Sequence, residues 1–373
     1  MITTNRRKHR SLLSLLLTLL LLLALSAVGC TGAAEPQAGA QVQEDEHMED
    51  EHGHDEDDHE HEEAGVLALP DLAPAELAAG EQLRVVATTS IIGDVAAQVG
   101  GDTIELVTLM QPGQDPHSYQ PSPATLAEVG GADVILVNGW DLEEGLLSEL
   151  ANAAEGVPLV PVSAGIEPLA FGESVHEAEV EAADEEHDHV ADPHVWLDPL
   201  LVQAWVENIA FILGSLDPAN AEAYVANARA YLAELEELAT TMDAALAVIP
   251  EERRQLVTNH DALAYFARRF DFAVLGTVIP GASTLAEPSA RALAELVEVM
   301  TAADVCTVFS ESTVGDSVAR AAAAELDHCD EVAVLSLYTG ALGPPGSGAD
   351  SYIGMMTSNT ETIVAGLSPQ AGE

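Results

Sequence analysis

The chain is predicted to be an α/β protein of two lobes, each a four-stranded, mainly parallel sheet flanked by helices, the two joined by one long connecting helix. Three observations predict this. Short β-branched runs alternate with Ala-rich stretches, as in parallel sheets. The runs fall into two sets of four, and a long Ala-, Leu- and Glu-rich segment separates the sets. The first set is LRVVATT (83–89), IELVTLM (104–110), DVILVNG (133–139) and VPLVPV (157–162). The second is QLVT (255–258), FAVLGTVI (272–279), VCTVFS (305–310) and EVAVLSL (331–337). About 290 residues remain once the N-terminal segments are set aside, which suits two lobes better than one small core.

Between the sets, residues 217–250 read as one helix, with Asp217 and Pro218 at the cap and first turn and Pro250 as the stop. Tyr224, Ala228, Tyr231, Leu235 and Leu238 form its apolar stripe. At 1.5 Å per residue it would span about 50 Å, the length of both lobes. The expected organisation is a signal segment at 1–30, a disordered acidic His-rich tether at 31–82, an N-terminal lobe at 83–214, the connecting helix at 215–250 and a C-terminal lobe at 251–373. An acidic, His-containing loop at 173–191 interrupts the first lobe.

The amino terminus carries Arg6, Arg7, Lys8 and Arg10, then a Leu-rich run to Leu25 and SAVGC ending at Cys30. That is the pattern of a secretory signal. Its apolar run is shorter than the roughly 20 residues a membrane span needs. Small residues ending in Cys are the form of a lipoprotein cleavage box, so Cys30 is expected to be the lipidated first residue of the mature chain. The protein is then extracytoplasmic, anchored to the outer face of the membrane or periplasmic.

Charge narrows the partners. The chain has 12 Lys plus Arg against 63 Asp plus Glu, and four of the basic residues precede Cys30, leaving eight Arg and no Lys beyond it. So anionic a surface repels nucleic acid and attracts cations. Residues 44–63 alone hold 13 acids and five His: His47, His52, His54, His59 and His61. This stretch, whose one apolar residue is Met48, cannot bury a core and is expected to be disordered. Together with His176, His187 and His189 of the later acidic loop, it serves either as loose metal capture or as a solvated spacer.

Three further His stand apart in Pro-braced or strand-end settings: His117 in QPGQDPHSYQPSP (111–123), His194 in DPHVWLDP (192–199) and His260 in TNHDALAYFARRF (258–270). His117 and His260 follow apolar strands, where open α/β sheets bind ligands. Three imidazoles brought together would form most of a zinc site.

From about Leu83 onward the chain resembles the zinc and manganese solute-binding proteins of bacterial ABC importers, the cluster A-I family. The resemblance rests on the motifs around His117, His194 and His260, on AEPSARALAELVE (286–298) and on GADSYIGMMTSNTETIV (348–364). It implies Zn(II) held by His117, His194 and His260, delivery to a membrane ABC permease with its ATPase, and lobes joined by a helix that limits closure. Manganese relatives tend to carry Glu at the third position, so His260 favours zinc. Many relatives have Asp or Glu where this chain reads Gly340. Glu311 in VFSES (308–312) is the first candidate to replace that ligand or to orient a ligating His, and Asp350 is the second. A manganese-binding protein of the same kind is the alternative. A zinc hydrolase is the alternative outside the transport class, although no HExxH stretch is present; a scavenging or adhesive surface role is a further one. Cys306 and Cys329, an even pair in an oxidising compartment, read as a disulfide. The protein is expected to be a monomer.

Overall fold

The computed structural model describes residues 65–143, 145–171, 190–279, 281, 283–286 and 289–368. The N-terminal lobe is built from β1 (Leu83–Ala87), α1 (Ser90–Gly100), β2 (Ile104–Thr108), α2 (Pro123–Val129), β3 (Val134–Val137), α3 (Leu146–Ala153) and β4 (Leu159–Pro161). Its sheet runs β2-β1-β3-β4, all parallel. Helices α4 (Pro199–Leu216) and α5 (Ala221–Leu246) follow. The second lobe comprises β5 (Gln255–Thr258), α6 (Ala264–Phe270), β6 (Ala273–Thr277), α7 (Ala290–Ala303), β7 (Thr307–Glu311), α8 (Ser317–Ala323), β8 (Ala333–Leu337) and α9 (Tyr352–Leu367). Its order, β6-β5-β7-β8, repeats that of the first, again all parallel. All eight sequence-predicted strands are present.

Alternation along the strands sends side chains to two faces. In β1, Val85 joins the large central core while Val86 joins the outer core of its lobe; in β5, Leu256 and Val257 divide the same way. The central core is continuous through both lobes, including Leu83 and Val85 from one sheet and Leu256, Val274 and Phe309 from the other. The stripe Tyr224, Ala228, Tyr231, Leu235 and Leu238 of α5 is buried within it, and α5 packs against α1, α4 and α9. Each such large apolar side chain contributes roughly 1.5–3 kcal/mol by leaving water.

Two expectations are corrected. The connecting segment is not one helix from 217: Asp217 closes α4, its N–H bonding to Leu213 O, and α5 starts only at Ala221. The Asp217 carboxylate accepts from Asn220 Nδ2 (2.6 Å) and the Tyr224 hydroxyl (2.9 Å), so it holds the corner between two helices. With 26 residues, α5 is about 39 Å long rather than about 50. The tether, moreover, does not extend to residue 82. Leu69, Leu72, Ala75 and Leu77 pack on the central core. Ala75 N–H donates to Leu216 O and Gly165 N–H to Leu67 O, both at 2.8 Å. The apolar residues of 65–82 have a lobe to bury against. At Gly139 (φ 105°) an added Cβ would overlap Leu67, so both the positive φ and this packing call for glycine.

Cys306 and Cys329 are joined as a disulfide, Cα to Cα 5.9 Å, just ahead of β7 and β8. Helix α4 is long and apolar enough to cross a membrane, but its Trp205, Val206, Ile209, Ile212 and Leu213 are buried in the core. Cys30, the tether's His47, His52, His54, His59 and His61, and the loop's His176, His187 and His189 lie outside the described residues. The base of that loop is pinned by an antiparallel bridge between Ala170 and Ala191.

Candidate metal centre

His117 sits in the loop after β2, tightened by the Gln111 and Gln114 backbone and side-chain bonds to each other. Its backbone N–H donates to Asp115 Oδ1 at 3.1 Å. His194 repeats the device: its N–H donates to Asp192 Oδ1 at 2.9 Å. In both Asp-Pro-His turns the carboxylate two residues ahead fixes the His backbone, a local bond that Asp side chains favour in turns. The first Asp uses its other oxygen elsewhere, accepting from Ser118 Oγ (2.9 Å) and, across the lobes, from Thr284 Oγ1 (2.6 Å). The second also meets His194 Nδ1 at 2.7 Å.

His260 follows β5. Its N–H donates to Glu311 Oε1 at 3.2 Å, its Nδ1 is paired with the same oxygen, and Thr339 Oγ1 donates to Glu311 Oε2 at 2.6 Å. The three His are buried, and their Nε2 atoms converge: His117 to His194 3.2 Å, His194 to His260 3.3 Å. These ligand atoms all lie within 4.8 Å of one another, an arrangement that could hold a metal ion. A ring whose Nδ1–H is held by a carboxylate presents the lone pair of Nε2 outward, which is how second partners orient metal-binding imidazoles.

Glu311 stands behind His260, on Nδ1, away from the converging Nε2 atoms. Asp350 accepts from Gly346 N–H at 2.7 Å and lies exposed in its own turn. Gly340 is buried against Pro116: a Cβ there would meet Pro116 Cδ at 3.1 Å, beside His117.

Burial, followed by the neighbouring imidazoles, lowers the His117 pKa to about 3, and burial likewise lowers that of His194 to about 3. Burial would lower His260 too, but the Glu311 carboxylate overrides it and the pKa is raised. Burial would raise Glu311, yet the His260 partner holds it low. Asp192, almost wholly buried, is pushed up to about 7.

Contacts across the two lobes complete the site. Trp196, whose ring lies 5.2 Å from that of His194, donates from Nε1 to Thr339 O at 2.7 Å and accepts from the Tyr352 hydroxyl at 2.7 Å. Tyr265 OH donates to Asp192 O at 2.8 Å. Sequence reasoning missed Asp115, Asp192 and Thr339. The repeated Asp-Pro-His was a signal for the two Asp; nothing local marks Thr339.

The family described as "Zinc-uptake complex component A periplasmic" matches residues 85–366. The chain belongs to this family. The zinc-uptake component A family is one of solute-binding transport proteins, which removes the hydrolase reading; the chain is a metal-binding member and not an enzyme. Curated relatives include the manganese-binding lipoprotein MntA of Halalkalibacterium halodurans, 36% identical over 291 residues, 78% of this chain and 90% of that one. The zinc-binding protein TroA of Treponema pallidum is 31% identical over 294 residues, 78% of this chain and 91% of its own. The solved structure of TroA superposes with a TM-score of 0.67 at 30% identity, covering 77% of this chain and all of the other. This family member shares the two-lobed fold of TroA, and its relatives are named for different metals.

Proposed function

We propose that the protein captures Zn(II) between its two lobes on His117, His194 and His260 and delivers it to a membrane ABC permease with its ATPase. The observation that carries the reading is the spacing of the three Nε2 atoms, 3.2 and 3.3 Å between successive pairs. Ligands at zinc–nitrogen distances of about 2.0–2.1 Å in a tetrahedron stand about 3.3 Å apart. Imidazole is a better donor for zinc than for manganese, which prefers oxygen. With glycine at 340, water completes the fourth corner. Cys30 carries the lipid anchor, and the protein acts as a monomer on the outer face of the membrane or in the periplasm. The His of the tether and of the acidic loop collect zinc loosely around it.

Manganese is the second reading, favoured by relatives such as the MntA proteins of Halalkalibacterium halodurans and Bacillus subtilis, 36% and 34% identical. Equilibrating the full chain with equal free Zn²⁺ and Mn²⁺ separates the two. The metal retained by a His117→Ala, His194→Ala, His260→Ala variant is subtracted to remove what the tether holds. One zinc per chain is expected in the difference; mostly manganese in that difference would reverse the assignment.

The pKa pattern gives a second test. Metal needs a free lone pair on each Nε2. Near neutral pH, His117 and His194 are already unprotonated, whereas His260, raised by Glu311, is the ring that protonates first as pH falls and then carries a proton that the ion must displace. Binding is therefore expected to release a proton from His260 and none from the other two. As pH falls below the raised pKa, affinity drops about tenfold per unit through this one proton. Calorimetric titrations at descending pH in buffers of different ionisation heat read the proton count, and a count that stays at zero throughout would contradict ligation through His260.

A further inference from the structure

A second cluster of metal-binding atoms lies at the opposite end of the C-terminal sheet. His260 and Glu311 are at the carboxyl ends of β5 and β7, whereas Cys306 immediately precedes β7 and Cys329 precedes β8. A five-residue strand separates the two ends by about 17 Å. The imidazole of His328 is exposed and reaches over the half-buried disulfide, with Nε2 3.2 Å from Cys329 Sγ and 3.8 Å from Cys306 Sγ.

We propose that Cys306, His328 and Cys329 are a redox-gated site for a thiophilic divalent ion, closed while the disulfide stands and open to Zn(II) once a dithiol has reduced it. In the gating step a dithiol reductant gives up two electrons and two protons, forming its own disulfide, and the protein bridge becomes two thiols. Zinc then replaces the two thiol protons, with no change in its own oxidation state. Tetrahedral zinc with bonds of about 2.3 Å to sulfur and about 2.0–2.1 Å to nitrogen places sulfur and nitrogen about 3.6 Å apart. The two nitrogen–sulfur separations, 3.2 and 3.8 Å, already bracket that value. The same geometry needs the sulfurs about 3.8 Å apart. Side-chain rotation across a Cα–Cα distance of 5.9 Å accommodates this without moving either strand. Two thiolates and one imidazole select zinc over manganese, because soft donors discriminate against the harder ion. Water takes the fourth corner on the exposed side. Bound there, zinc restores the cross-link between residues 23 apart that reduction has cut.

The test counts zinc in the full-length protein before and after reduction, with the reductant removed before the ion is added. Reduction is expected to add one zinc per chain and to shield both thiols from alkylation, while Mn²⁺ adds nothing and shields nothing. His328→Ala keeps both cysteines, so it is expected to form the disulfide and hold its oxidised-state zinc as before, yet bind the added ion at least tenfold more weakly. Cys329→Ser should gain none. No added zinc on reduction overturns the proposal. So does added zinc that survives in the His328→Ala, Cys329→Ser double variant, since it then lies elsewhere. The oxidised count, less the zinc retained by the His117→Ala, His194→Ala, His260→Ala variant, reports on the central His site, so failure there and failure here are read separately.

Discussion

His194→Ala is expected to weaken zinc binding by about a hundredfold or more. Four-ligand zinc sites hold the ion with roughly 10–16 kcal/mol, about 3 kcal/mol for each ligand, and each 1.4 kcal/mol is a factor of ten. His194 is the middle member of the three, its Nε2 3.2 Å from that of His117 and 3.3 Å from that of His260. Without it the remaining two rings have no common neighbour. The fold has independent support at this point: Asp192 N–H still donates to Leu169 O, and Tyr265 still donates to Asp192 O. The thermal midpoint of the metal-free variant should therefore stay near that of the parent. Competition against a chromophoric chelator gives the affinity, and a loss below about fivefold would exclude His194 from the ligand set.

Glu311→Gln is expected to cost between about tenfold and a hundredfold in affinity, the range for partners that orient a metal-bound His. The variant keeps an acceptor for His260 Nδ1 and keeps contact with Thr339, but removes the negative charge that holds the His260 pKa up. The sign of the accompanying pH effect follows. With the charge gone, burial dominates, His260 loses its proton at lower pH, and affinity becomes less sensitive to pH around neutrality. A merely structural glutamate would change stability without moving that profile. An unchanged zinc constant together with an unchanged profile would mean that Glu311 does not act on the site.

The strands were readable because a buried parallel strand is a short β-branched run, and DVILVNG and QLVT have few other structures open to them. His117, His194 and His260 were readable because each interrupts such a pattern in a Pro-braced turn or at a strand end. The start of α5 was misread for a physical reason. Asp-Pro-Ala-Asn has the composition of a helix N-terminus, yet here Asp217 closes the helix before it through its N–H to Leu213 O, while its carboxylate holds Asn220 and Tyr224 at the start of the next. The packing of 65–82 was hidden because its leucines are spaced like neither a helix nor a strand and need an existing lobe to cover. Which ring nitrogen Glu311 would face depends on how β7 lies beside β5, a tertiary fact with no local trace.

One core running unbroken through both lobes, with α5 along it, would resist a change of outline when cargo arrives. An importer partner then has few differences of shape to sense. The proposed capture acts electrically instead: a doubly charged cation among the three rings would turn one point of a densely anionic body positive. Loaded and empty protein would in that sense be two charge patterns on one scaffold.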